Sequence, residues 1–273
     1  PWALLHTSVD VSDLQIESLD IIILESTGSA AEPPSSPSIS LPFDFGLDGV
    51  KINDINIRRA NDLYKIDQIS VAATLQTKGL LIKQLMVNSE NLNINMTGKI
   101  DPVENYPHDI DLSWDATLAS GAQIQGQGNI TGDIKSTQLS QNLTGAVQMT
   151  LGLELQELLT QLSWQSELEV THIDSALIAS ILIDNKFPPL MDRLRLTANG
   201  DIRSARISGQ LHANAPEFGP FKADFKLSSL QGERMFKGIS VEALTINAAQ
   251  GQLSAIGEFG WLPALSWNAD ISV

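Results

Sequence analysis

The stretch Leu92-Asn93-Ile94-Asn95-Met96-Thr97-Gly98-Lys99-Ile100 alternates aliphatic and polar side chains one by one until it meets a glycine. A period of two is what a β-strand imposes, so this segment reads as a strand with one face in water and the other against something apolar. Its closing phrase, glycine then a polar residue then an aliphatic or aromatic one, recurs along the chain. Copies stand at Gly128-Asn129-Ile130, Gly132-Asp133-Ile134, Gly200-Asp201-Ile202, Gly209-Gln210-Leu211 and Gly257-Glu258-Phe259. Each adjoins another alternating run, and glycine supplies the backbone freedom that a tight turn or bulge needs. Many half-apolar strands with no helical layer to cover them leave an apolar face that something must fill.

Outward from this stretch the same grammar holds in both directions. Residues 1–27 read as strands, with Val9, Val11, Leu14, Ile16, Leu19, Ile21 and Ile23 spaced as two consecutive ones. Residues 28–38 read as a flexible Pro/Ser-rich loop, because Pro33, Pro34 and Pro37 among small residues suit neither strand nor helix. Residues 39–151 read as a β-groove, opening at Leu41-Pro42-Phe43 and running through Ile110/Leu112/Trp114. Residues 152–190 read as a helical insert. Leu155, Leu158, Leu159 and Leu162 fall at helical spacing, and a second helix is expected from the N-cap Asp174 to about Ile183, stopped by Phe187-Pro188-Pro189. Residues 191–273 return to strands. The expected fold is therefore mainly β: an elongated, curled antiparallel sheet with an apolar interior and one or two short helices near the middle.

The chain also resembles itself. Placing Gly98 on Gly257 puts Leu85 on Leu244, Val87 on Ile246, Asn88 on Asn247, Ile94 on Leu253 and Ile100 on Phe259. The phrases then run on through Tyr106-Pro107 to Trp114 and through Leu262-Pro263 to Trp267, which suggests duplication of a supersecondary unit.

Charge and composition exclude several functions. With 17 basic against 32 acidic residues the net charge is −15, which repels phosphate backbones and argues against nucleic-acid binding. It argues equally against adsorption to an anionic membrane through a broad basic surface. There are no cysteines, hence no disulfide framework, thiolate metal site or cysteine nucleophile. No stretch approaches the roughly 20 apolar residues of a membrane-spanning helix. The opening Pro1-Trp2-Ala3-Leu4-Leu5 is not a signal peptide, so the chain is expected to be a piece of a larger protein whose targeting segment lies elsewhere.

Catalytic and metal-binding patterns are missing from the sequence. His6, His108, His172 and His212 are far apart and in no ligand spacing. There is no Gly-x-Ser-x-Gly elbow. Gly126-Gln127-Gly128-Asn129-Ile130-Thr131-Gly132 imitates a dinucleotide loop, but Thr131 stands where the third glycine belongs and no strand-to-helix context surrounds it. No catalytic residues, metal ligands or cofactors are therefore assigned.

Two arrangements would satisfy the apolar face. Two sheets can pack about 10 Å apart into a closed core, or one sheet can curl into an open trough that hosts an apolar ligand. Aromatics, the usual filling of sandwich cores, make up only 5% of the chain, and an aliphatic lining suits acyl chains as well. The alternating positions beside the glycine phrases are the candidate lining: Ile94, Met96, Ile110, Leu112, Phe225, Ile246, Leu253 and Leu265.

Leu41-Pro42-Phe43 opening a strand series, the Gly-x-Ile phrases, Tyr106-Pro107 before Ile110-Asp111-Leu112, and the segment Trp164-Gln165-Ser166-Glu167-Leu168-Glu169-Val170 together resemble the TamB family of AsmA-like envelope proteins. The resemblance implies a periplasmic β-groove, taco-like in section and lined with apolar side chains. It implies a tether to the inner membrane of a Gram-negative cell through an N-terminal helix. It also implies a role in outer-membrane biogenesis by moving phospholipid, as part of a translocation and assembly module with the barrel partner TamA. This piece resembles the N-terminal or middle part of such proteins, whereas the contact with TamA belongs to the family's C-terminal region. The rival expectation is a chaperone-like scaffold that receives outer-membrane strands by β-augmentation; a dry-cored adhesive solenoid is a third.

Overall fold

The computed structural model describes residues 8–23, 44–59, 62–76, 79–102, 105–174, 177, 190–215, 219–231, 237–261 and 265–273. Two compact units emerge, the first made of residues up to 118 with 125–137, the second of 119–124 with 138–273.

In the first unit β4 (Phe45–Arg59), β5 (Asp62–Gln76), β6 (Gly79–Ser89), β7 (Leu92–Ile100) and β8 (His108–Thr117) form an antiparallel meander, followed by β9 (Gln123–Gly132). The β1 (Val9–Ser12), β2 (Gln15–Ile16) and β3 (Leu19–Ile23) pieces pair with β4 in parallel, Val9 with Phe45, Gln15 with Lys51 and Leu19 with Ile55. Their common offset makes them one interrupted edge segment rather than two strands, with Asp13 at φ 56° in the first interruption. A parallel pair needs a connection of a dozen residues or more, and the long stretch between Ile23 and Phe45 has that length. The expected loop at 28–38 and Leu41-Pro42-Phe43 lie outside the described residues.

In the second unit β10 (Ser136–Gly145), β11 (Val147–Gln156), β12 (Ser163–Ile173), β13 (Leu190–Asp201), β14 (Ala205–Ala215), β15 (Gly219–Leu230), β16 (Gly238–Ala248), β17 (Gly251–Gly260) and β18 (Ser266–Ser272) follow one another, antiparallel throughout from β11 to β18. The mainly β, antiparallel expectation holds here.

The helical insert does not survive in its first half. Leu155 is the last of an alternating series, Met149, Leu151, Leu153, Leu155, that pairs with Val170, Leu168, Ser166 and Trp164 of β12. Leu158 and Leu159 sit in the turn after it, where Glu157 takes φ 54° and its carbonyl accepts from the Thr160 amide at 3.1 Å. Four leucines at helical spacing are too few to nucleate a helix against a ladder that already pairs the run up to Gln156 with β12. Most of the second candidate, Asp174 to Ile183, lies outside the described residues. Leu177 is helical, its amide donating to the Asp174 carbonyl at 3.0 Å.

The internal duplication is exact in register. Val87 faces Ile94 and Ile246 faces Leu253; Ile82 faces Gly98 and Val241 faces Gly257. The ladder shifts between Ile82 and Leu85 in one copy and at the corresponding Val241 and Leu244 in the other. The tryptophans do not correspond: in this register Trp267, paired with Phe259, takes the place of His108, paired with Ile100. A second repetition is a turn. In Gly132-Asp133-Ile134-Lys135-Ser136 the Asp133 carboxylate accepts from the amides of Lys135 and Ser136 at 2.8 and 2.9 Å. In Gly200-Asp201-Ile202-Arg203-Ser204, Asp201 accepts from Arg203 and Ser204 at 2.6 and 2.7 Å. Both carboxyls are held below the ordinary aspartate range by these amides, chiefly that of Ser136 for Asp133 and that of Arg203 for Asp201.

The phrase glycines are not all turn residues. Gly98, Gly209 and Gly257 lie inside strands, and a Cβ on Gly98, at φ 150°, would stand 2.3 Å from the Asp109 carbonyl oxygen across the ladder. These glycines serve close approach between strands.

Candidate functional site

Register decides which side chains share a face, since residues directly opposite in a ladder point the same way. In the first unit one row runs Ile52, Ile69, Val87, Ile94, Trp114 across β4 to β8, and the next runs Val50, Val71, Leu85, Met96, Leu112. A third runs Leu47, Ala73, Ile82, Gly98, Ile110. The intervening rows are polar but for Met86: Lys51, Ser70, Met86, Asn95, Ser113, then Asn53, Gln68, Asn88, Asn93, Asp115. Gln68 donates to Asn53 at 2.9 Å and Asn93 to Asp115 at 2.8 Å along this second face.

The second unit repeats the division. Val170, Leu194, Leu211, Ala223, Ile246 and Leu253 form one apolar row, and Leu168, Leu196, Gly209, Phe225, Leu244 and Ala255 the next. Between them runs Glu169, Arg195, Gln210, Asp224, Thr245, Ser254. Glu169 binds both Arg193 and Arg195, and the Arg193 guanidinium above all holds its carboxyl below the usual glutamate range. Lys222 pairs with Asp224 at 3.1 Å. These ion pairs lie on the polar face, and the apolar rows just named carry no charge.

Within each unit the most closely packed strand pairs among the described residues are hydrogen-bonded neighbours in the ladder, and much of the apolar face is only partly covered. Apolar side chains buried among them are Val50, Ile55, Ala73, Ile110, Val170, Ala213 and Ala223; most others in the rows are only half-buried. Bulges at Leu47/Val50, Ile82/Leu85, Lys226/Leu227 and Val241/Leu244 bend the strands locally. Near the end of the second unit a cavity of about 400 Å³ opens on this face, lined by Phe221, Ile246, Ala248, Leu253 and Val273.

The eight candidate lining residues are distributed as follows. Ile94, Met96, Ile110 and Leu112 stand on the apolar face of the first unit, Met96 directly opposite Leu112. Phe225, Ile246 and Leu253 stand on the apolar face of the second, Ile246 opposite Leu253. Leu265 precedes β18 and is 73% exposed, so it is not gathered with them. The glycine criterion passed over equivalent positions, among them Leu85, Val87, Leu168, Leu196, Leu211 and Leu244; alternation was the signal that could have found them. Among the described residues no group of His, Asp and Glu could hold a metal ion, and no helix is long and apolar enough to cross a membrane.

Compared with known proteins, the chain matches the family model described as TamB, N-terminal domain, over residues 6–273. No curated protein and no solved structure matches it.

Proposed function

The chain belongs to the TamB family, whose role lies in biogenesis of the Gram-negative envelope, and from that premise we propose that its apolar sheet face is a conduit for phospholipid acyl chains. The observation that carries this reading is the row structure: aliphatic rows continuous across many strands, half-exposed, with polar rows on the reverse. Each methylene moved from water onto such a lining gains about 0.8 kcal/mol, so an acyl chain has ample reason to enter. The headgroup stays in water, and the chain slides because an aliphatic lining has no directional contacts to break. No step is catalytic. On this proposal the segment works in the periplasm, tethered to the inner membrane by an N-terminal helix, with TamA engaged through other regions of the protein.

Photo-crosslinking in cells tests the conduit. A photoreactive residue at Ile110 or Ile246 is expected to capture phospholipid. One at Asp111 or Asn247 is not, since these pair with Thr97 and with Lys222 and Gln252 on the polar face. Equal capture at all four positions, or none at any, would sink the reading.

A further inference from the structure

On the apolar face two large aromatic rings occupy the space where a neighbouring strand lacks a side chain. A Cβ built on Gly126 of β9 would stand 2.3 Å from Cε2 and Nε1 of Trp114, and 2.6 Å from its Cζ2. A Cβ on Gly209 of β14 would stand 2.5 Å from Cδ2 of Leu196, 2.6 Å from Cζ of Phe225 and 2.8 Å from the Arg195 carbonyl oxygen. Trp114 shares its row with Ile94 and Val87, and Phe225 shares its row with Leu244 and Ala255, so both rings belong to the lining already described. Among the described residues the arrangement occurs once in each unit, between different strands.

We infer that Gly126 and Gly209 are recesses that seat Trp114 and Phe225 in the floor of the groove, and so set the clearance left for an acyl chain. The physics is steric. One methyl at Gly126 forces the Trp114 ring away by roughly an ångström to restore van der Waals separation, and one at Gly209 moves the Phe225 ring together with the Leu196 side chain. Backbone lies beneath and strands lie on both sides, so the ring moves towards the open side of the sheet. There it takes up space that a ligand needs. Gly152 of β11 is the natural contrast, because a Cβ there meets nothing within 4 Å.

This inference rests on the acyl-chain reading, and the test separates the two. In the full-length protein in cells, lipid capture is measured with a photoreactive residue at Ile94, beside Trp114, and at Leu244, beside Phe225. Gly126→Ala should lower capture at Ile94, and Gly209→Ala capture at Leu244, by about tenfold, as one misplaced methylene does in an apolar pocket. Gly152→Ala should change neither. Trp114→Leu combined with Gly126→Ala should restore capture at Ile94, because the ring to be displaced is gone. Undiminished capture in a folded Gly126→Ala protein, or no restoration in a folded double variant, overturns the inference while wild-type capture upholds the conduit. Absence of capture in the wild type defeats the conduit itself. Should Gly126→Ala fail to fold, Trp114→Leu alone decides. Purified and incubated with vesicles of phosphatidylcholine bearing a pyrene-labelled tail, it is expected to take up more of the bulky lipid than the wild type. Equal or lower uptake overturns the inference.

Discussion

Asp133 and Asp201 do the same work in two turns, each accepting two backbone amides that would otherwise point into the turn unpaired. Their depressed folded-state pKa values set the sign of a pH effect. A carboxyl that is more acidic folded than unfolded stabilises the fold at neutral pH. That contribution fades as pH falls into the ordinary carboxylate range near about 4, and is gone below the depressed value. Asp133→Asn and Asp201→Asn should therefore lower the thermal midpoint at pH 7, with the gap from wild type closing on acidification. Melts between neutral and acidic pH check this; a gap that widened in acid would contradict the assignment. Both residues are half-exposed and short-range in their effect, so the gap is expected to change little with salt, because hydrogen bonds rather than distant charges supply it.

Among the elements, the β11–β12 hairpin distinguishes strand from helix most directly. A helix over 155–162 would make Leu155 and Leu159 equivalent core positions. The hairpin makes them different: Leu155 faces Trp164 on the apolar side, whereas Leu159 is 46% exposed in the turn. Leu155→Ala should cost about 1–3 kcal/mol in urea unfolding, and Leu159→Ala less than about 0.5 kcal/mol. Similar costs at both positions would favour the helix. The helical spacing was legible in the sequence and misleading. Its first leucine was also the last member of an alternating run that began at Val147, and only pairing with β12 says which period prevails. The parallel edge formed by β1 to β3 was likewise closed to sequence reading, because alternation tells which residues share a face and nothing about strand direction.

For the molecule as a whole, the acidic charge and the apolar lining belong to different surfaces, and this separates the forces that govern it. Charge favours solvation of the polar surface; on the proposed reading, ligand capture would depend on apolar contact, which salt does not screen. Lipid capture at Ile110 is therefore expected to be insensitive to ionic strength, unlike an electrostatic membrane association, which weakens within a Debye length of about 8 Å at physiological salt. Removing bound lipid from purified protein should lower the thermal midpoint, and adding phospholipid should raise it with concentration, as mass action requires of a ligand that binds only the folded state. A midpoint indifferent to lipid would mean that the two units satisfy their apolar faces without it.

The sequence by itself determined the strands, the two faces and the candidate lining on them, because side-chain alternation is a local property that each segment carries alone. It suggested the duplication too, and the pairing then showed a bulge at the corresponding place in each copy. What only the tertiary structure decided was pairing: the parallel edge along β4, the hairpin where a helix was expected, the exposure of Leu265, and the glycines that lie under aromatic rings rather than in turns. Pairing joins residues far apart in the chain, and a period of two fits many partners and either direction equally well. The choice among them is made by backbone hydrogen bonds and by which side chains fit across the ladder, and neither exists until the strands have met.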